Sequence, residues 1–264
     1  MSARYYPILC KTALSKSALP GLDYALNSYR GCEHGCLYCY APAVLRDREL
    51  IEHWGESVGI RRNIADVLRS EVRRSRPGVV GIGTVCDPYQ PAEREEELTR
   101  RCLEVLSTTG FEACIQTKSD LVLRDLDLIG RDWCEVGVTV ITLDRELSRK
   151  LEPKTSPPDA RLAALEALAR RGVRTWVFLG PIIRGINDSP ENIREIVREA
   201  RRIGSYVIYD KLNLRAGVLE RLGRALDEKT ISALRVGDTA WWRRTRRMIE
   251  RLCRTEGVRC EPAF

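Results

Sequence analysis

From Val79 onward the chain repeats one unit, a short apolar run followed by a turn and an amphipathic helical stretch. Val79–Thr84 precedes a helical pattern over about Ala92–Ser107, and Glu112–Thr117 precedes one near Leu123–Ile129. Val136–Thr142 is followed by helical stretches at Arg145–Leu151 and Ala160–Arg171. Val173–Leu179 leads to a helix opened by Ser189-Pro190 and ended by Gly204, with Ile193, Ile196, Val197, Ala200 and Ile203 on its buried face. Tyr206–Tyr209 is the last strand of the series, and Tyr24–Tyr29 adds one at the start. Repeated strand-then-helix units imply parallel strands joined by right-handed crossovers. Six of them fit a partial, open (β/α)6 barrel, and they fit an open doubly wound sheet as well. In both architectures ligands bind at the C-terminal ends of the strands.

Around this α/β core, residues 1–23 read as a polar, turn-rich N-terminal extension, residues 24–215 as the core domain, and residues 216–264 as a helical C-terminal appendage. Residues 41–59 show no clear period, and Asn63 is placed to cap a helix running to about Arg74. The 264 residues, 44% hydrophobic and 31% charged, can bury a substantial core. No run approaches the roughly 18 apolar residues of a membrane span. Met1 to Leu19 lacks the basic-then-apolar order of a secretory signal, so the expected location is cytoplasmic and no membrane partner is expected. A net charge of +7 suits a polyanionic partner such as nucleic acid.

The ten cysteines then suggest metal chemistry in a reducing compartment more than a disulfide scaffold. Three of them, Cys32, Cys36 and Cys39, lie in the stretch Tyr29-Arg30-Gly31-Cys32-Glu33-His34-Gly35-Cys36-Leu37-Tyr38-Cys39-Tyr40, spaced C-x3-C-x2-C between glycines. Thiolates so arranged can hold three irons of a cubane cluster and leave the fourth to another ligand. A zinc site completed by His34 or a distant cysteine competes with that reading, although no second cysteine knuckle is present. Three inert apolar thiols are the blandest alternative. His34 reads as a solvent-side loop residue, and the other cysteines lack the compact spacing of a second cluster. For Cys253 and Cys260 a bridge competes with free thiols, and free thiols are the default.

The cysteine motif resembles that of the radical S-adenosylmethionine (SAM) superfamily. Further stretches resemble its spore-photoproduct-lyase-like branch, whose uncharacterised members are often called DNA repair photolyases. These are Leu26–Cys32, Thr84-Val85-Cys86-Asp87-Pro88-Tyr89-Gln90-Pro91, Thr117-Lys118-Ser119, Leu151-Glu152-Pro153-Lys154-Thr155 and Gly180-Pro181-Ile182-Ile183. The resemblance implies the partial, open barrel and a 4Fe–4S cluster on Cys32, Cys36 and Cys39. It implies reductive cleavage of S-adenosyl-L-methionine to a 5′-deoxyadenosyl radical that abstracts hydrogen, with a ferredoxin- or flavodoxin-type electron donor as partner and nucleic acid among the candidate substrates.

Position by position, it implies that Tyr38 lies beside the adenosyl group, that Tyr40 points into the cavity, and that Lys118 holds the SAM carboxylate. Cys86 falls near the cofactor, and Glu152 either contacts it or braces the loop. Each has a plainer reading: packing for Tyr38, a surface position for Lys118, a turn at Cys86-Asp87-Pro88, and a helix end at Glu152-Pro153. In the lyase itself a second-strand-loop cysteine donates hydrogen to the product radical. The matching residue here is Thr84, with the Cys86 thiol two positions on as a neighbouring substitute, so the resemblance does not by itself imply the repair reaction; an enzyme-based hydrogen donor would be Cys86 or Tyr40. The alternative class is a metal-containing nucleic-acid-binding protein without radical chemistry, for which Trp241-Trp242-Arg243-Arg244-Thr245-Arg246-Arg247 supplies basic and aromatic groups. In that stretch Trp241, Thr245, Met248, Ile249 and Leu252 also share a helical face suited to docking on the core, and docking is the stronger reading.

Overall fold

The computed structural model describes residues 3–264. Its strands are β1 (Arg4–Ile8), β2 (Ser15–Lys16), β3 (Tyr24–Leu26), β4 (Tyr29–Arg30), β5 (Ser57–Arg61), β6 (Val79–Ile82), β7 (Glu112–Thr117), β8 (Cys134–Thr139), β9 (Arg174–Ile182), β10 (Tyr206–Lys211) and β11 (Cys260–Pro262). The main sheet runs β2-β3-β6-β7-β8-β9-β10-β11, with every neighbouring pair from β3 to β11 parallel and β2 antiparallel at one edge. β2 and β11 do not pair with each other, so the sheet is an open barrel and not a closed one. A parallel sheet covered on both faces selects β-branched residues on consecutive positions, and β8 shows it: Val138 and Thr139, on opposite faces, are both fully buried.

The six expected parallel strands are all present, and the differences are local. Tyr24–Tyr29 is not one strand. Asn27 and Ser28 leave the ladder to hydrogen-bond Thr84 and Thr99, and the chain re-enters as β4 in a second, three-stranded sheet of order β1-β5-β4. β5 lies in the stretch without a period because both its faces are covered: Val58 and Ile60 are buried, and a Cβ at Gly59 would come 2.9 Å from the Ile8 side chain. β1 falls in the stretch read as an N-terminal extension, of which residues 1 and 2 lie outside the described residues. β11, at the far end, is three residues long, too short to show a period, and extends the sheet beyond β10.

The expected single helix over Ala92–Ser107 is two, Glu93–Glu96 and Leu98–Leu106, broken at Glu97 with φ +50°. The break turns the Glu93 carboxylate inward, where it accepts from the Thr99 and Arg100 N–H groups and pairs with Arg124. A short 3-10 helix at Asp120–Asp125 replaces the expected turn of helix near Leu123–Ile129, started by the Ser119 hydroxyl accepting from Leu121 N–H. Asn63 does not cap the following helix; its amide instead clamps the Cys10 backbone at both N–H and C=O. Ser189 does cap Pro190–Ile203, and Gly204 closes it at φ +83°. Ile193, Ile196, Val197 and Ile203 are buried along that helix, each contributing about 1.5–3 kcal/mol by apolar transfer. The Thr239–Glu256 helix packs beside it through Thr245, Ile249, Leu252 and Cys253, leaving Arg243, Arg244, Arg246 and Arg247 in solvent. Cys253 and Cys260 are free thiols.

Candidate active site

The cysteine loop follows β4 at the C-terminal edge of the sheet, and its shape depends on three glycines. Gly31 has φ +89°, and a Cβ there would lie 2.8 Å from the Ser57 carbonyl. Gly35, at φ +61°, stacks on Gly55, whose own Cβ would come 2.7 Å from the Gly35 Cα. L-residues resist such angles and the contacts leave no room for a side chain. Three segments fasten the loop. Leu37 N–H donates to Leu151 C=O at 2.9 Å and Lys154 Nζ, three residues on, lies 3.9 Å from the Glu33 carboxylate; Glu33 N–H donates to Gln90 Oε1 at 2.7 Å; and the Arg221 guanidinium donates to Cys39 C=O.

Cys32 and Cys36 are buried and Cys39 is half-buried, and all three border one cavity of about 380 Å³. Burial pushes all three thiols above the ordinary cysteine range, with neighbouring carboxylates adding to it at Cys32 and Cys36. Thiolates in this place therefore need positive charge brought to them, which is what iron supplies. Among the described residues no three Cys, His, Asp or Glu side chains converge on one point as a closed zinc site demands. Three thiols presented separately along one cavity wall fit a polynuclear cluster, whose irons sit apart.

Asp87 joins the cysteine loop to the end of β7. Its carboxylate accepts from the Thr117 hydroxyl at 2.6 Å, from Tyr89 N–H at 2.9 Å and from Lys118 N–H at 2.7 Å, and His34 Nδ1 lies 3.3 Å away. Burial alone would raise this carboxyl, but His34, Lys118 and the hydroxyl hold it well below the usual range. Lys118 thus leaves the end of β7 with its backbone fixed and its ammonium in the cavity, 5.9 Å from the Tyr38 ring centre. Burial would lower the ammonium's pKa, yet Cys36, Glu152, Asp87 and Cys39 around it raise it, so it stays charged. Asn27 collects the second-strand loop: it donates to the Thr84 hydroxyl at 2.9 Å and accepts from Val85 N–H at 2.9 Å and the Cys86 thiol at 3.6 Å. Burial pushes the Cys86 thiol up to about 12, so it keeps its proton. Tyr40 is 37% exposed at the cavity mouth.

Seven of the eight residues singled out in the sequence, Cys32, Cys36, Cys39, Tyr38, Tyr40, Cys86 and Lys118, border this one cavity. Glu152 does not. It lies behind Tyr38, fully buried, accepting from the Tyr38 and Ser148 hydroxyls and paired with Arg161 at 2.7 Å. Its place is that of a brace. His34 is also not a solvent-side residue but is 2% exposed, turned inward by its approach to Asp87. The supports the sequence reading passed over are Gln90, Arg161 and Arg221. Gln90 lies within the Thr84–Pro91 stretch that carries the resemblance, and that stretch is the one signal for it. Arg161 and Arg221 occupy ordinary helical positions and give none.

The family model described as "Radical SAM superfamily" matches residues 26–200. An uncharacterized protein of Methanocaldococcus jannaschii is 31% identical over 210 residues, 79% of this chain and 78% of its own length. An uncharacterized protein of Mycobacterium tuberculosis is 35% identical over 213 residues, 76% of this chain; the chain spans 62% of that relative. Among solved structures, spore photoproduct lyase complexed with dinucleoside spore photoproduct superposes with TM-score 0.73 at 14% identity, covering 98% of this chain and 82% of the lyase chain. A radical SAM methyltransferase from Sphaerobacter thermophilus gives 0.55 at 16% identity, covering 92% and 66%. Both likenesses are likenesses of fold.

Proposed function

We propose that this chain, which belongs to the radical SAM superfamily, holds a 4Fe–4S cluster on Cys32, Cys36 and Cys39 and uses it with S-adenosyl-L-methionine to generate a radical on a substrate. When bound, those two groups supply a one-electron cleavage of the sulfonium and a 5′-deoxyadenosyl radical that takes a hydrogen atom from substrate. The observation that carries the reading is the set of three separately presented thiols on one braced loop, bordering a single cavity together with Lys118.

The chain's own residues have the following work in this reading. Lys118 binds the SAM carboxylate by a charge-assisted hydrogen bond, its ammonium held over the Tyr38 ring. Tyr38, held by Glu152, walls the adenosyl side. Asp87 sets the direction of Lys118 through its backbone. Cys86, which keeps its hydrogen at neutral pH, and Tyr40 at the mouth are the candidate hydrogen-atom donors to a substrate radical. Full turnover by both Cys86→Ala and Tyr40→Phe would remove that assignment; stalling in either supports it.

A nucleic-acid substrate is supported by the fold shared with spore photoproduct lyase and by the net charge of +7, with the exposed arginines of the last helix as a phosphate-facing stripe. Binding to an oligonucleotide is then expected to weaken steeply with salt. The electron donor is proposed to be of ferredoxin or flavodoxin type, and the compartment the cytoplasm. Among the described residues no helix is long and apolar enough to cross a membrane.

The test is anaerobic loading with iron and sulfide, then reduction by dithionite in the presence of SAM, with 5′-deoxyadenosine measured by chromatography. Its appearance supports the reading. A colourless protein that takes up zinc and cleaves no SAM refutes it.

A further inference from the structure

Among the described residues two arginines are buried almost completely, and only one of them has a carboxylate partner. Arg161 is 0% exposed and ion-pairs with Glu152 at 2.7 Å. Arg221 is 2% exposed, and among the described residues no carboxylate lies within ion-pair distance of it. Its two terminal nitrogens donate to main-chain carbonyls, one to Cys39 C=O and one to Ile51 C=O at 3.3 Å, while its Nε has no partner. Carbonyl dipoles do not offset a buried unit charge. Arginine stays protonated in proteins, so the charge persists in this place. The fold also makes room for this charge. Gly217, at φ +79°, would with a Cβ come 2.7 Å from Arg221 Nη1 and 2.8 Å from the Ile51 side chain. The chain thus keeps a cation without a carboxylate partner buried and holds it against the backbone of Cys39.

We infer that Arg221 is a positioning residue that supplies the fixed countercharge for the cluster proposed on Cys32, Cys36 and Cys39, and thereby raises its reduction potential. The inference rests on that proposal. A cubane held by three thiolates is anionic, and taking up one electron makes it more so by one charge. A cation fixed behind Cys39 favours the reduced form more than the oxidised one. The fork to Cys39 C=O and Ile51 C=O sets where that charge sits, joining the cysteine loop to the segment at residue 51.

The experiment compares the unsubstituted protein with Arg221→Lys and Arg221→Gln after anaerobic loading, reading bound iron and sulfide and then the midpoint potential by redox titration followed by electron paramagnetic resonance. Arg221→Gln is expected to become at least tenfold harder to reduce at a fixed ambient potential, a fall of about 59 mV for one electron. Arg221→Lys, which keeps the charge, should recover most of that fall. Ile51→Glu, which offers the guanidinium a carboxylate without touching Arg221, should lower the potential as well, and it carries the test if Arg221→Gln fails to load. Equal potentials in the loaded proteins, or a lysine variant no better than glutamine, overturn the inference. A wild-type protein that loads no cluster overturns the functional reading beneath it instead.

Discussion

Alanine at Cys36 is expected to abolish 5′-deoxyadenosine formation and to cut bound iron and sulfide to a small fraction of the unsubstituted level. Alanine at Cys10 should change neither. Cys10 is half-buried and does not border the cavity, whereas Cys36 is buried on its wall beside Lys118 and Tyr38. Three thiolates are the fewest that hold a cubane with one iron left open, so losing one removes the holder and not merely a contact. Lys118→Ala gives the contrasting outcome. It leaves the three thiols in place, so iron and sulfide loading should persist, while SAM affinity weakens about tenfold to a hundredfold. That range corresponds to the loss of one hydrogen bond between charged groups, roughly 1.5–3 kcal/mol. Equilibrium dialysis of SAM against the loaded proteins separates the two effects. If Cys36→Ala still loads and cleaves SAM, the thiols do not have the role proposed; if Lys118→Ala binds SAM unchanged, the lysine contacts something else.

That the cysteine loop was legible in the sequence, and its supports were not, has a physical reason. Ligand spacing and the glycines around it are local, and so are the apolar runs that became β6 to β10. Arg145–Leu151 and Glu112–Thr117 have the ends expected of them because caps and turns lie within a few residues of the element. The supports act across the chain. Arg221 meets Cys39 at a separation of 182 residues, and Tyr38 meets Glu152 at 114, distances over which no period or motif extends. Glu152 was singled out by its stretch, yet only its neighbours decide whether its carboxylate faces the cavity or Arg161, and Arg161 looks in sequence like any solvated helical arginine. The breaks at Ser28 and Glu97 escape for the same reason: a side chain called away by a distant partner, Thr99 in one case and Arg124 with Tyr29 in the other, outweighs the local pattern.

Removing either member of the Glu152–Arg161 pair is therefore expected to cost about 3–5 kcal/mol of stability, the penalty of leaving one buried charge uncompensated. Both side chains are 0% exposed, so solvent does not screen the loss. Arg161 also donates to Ser156 C=O at 2.7 Å, Thr139 C=O at 2.9 Å and the Thr155 hydroxyl, so Arg161→Ala should be the worse variant, stripping the end of β8 of its donor. Glu152→Gln keeps the shape and an acceptor but not the charge, and should fall between that variant and the unsubstituted protein. The pH dependence has a definite sign. Burial would raise the Glu152 carboxyl, but Arg161, Lys118 and the Tyr38 hydroxyl hold it below the ordinary glutamate value. A carboxyl depressed on folding contributes stability that is complete above its unfolded pKa of about 4.3 and is lost as pH falls through its folded value. The stability gap between the unsubstituted protein and Glu152→Gln should then be widest near pH 7 and shrink as the solution is acidified below about pH 4. Urea unfolding at a series of pH values, with all proteins in the same loading state, measures it. A gap below about 1 kcal/mol at pH 7, the range of an exposed pair, would mean that the pair does not brace the loop. A full gap accompanied by lost iron would instead tie Tyr38, and with it the spacing of Cys36 and Cys39, to a carboxylate that never reaches the cavity.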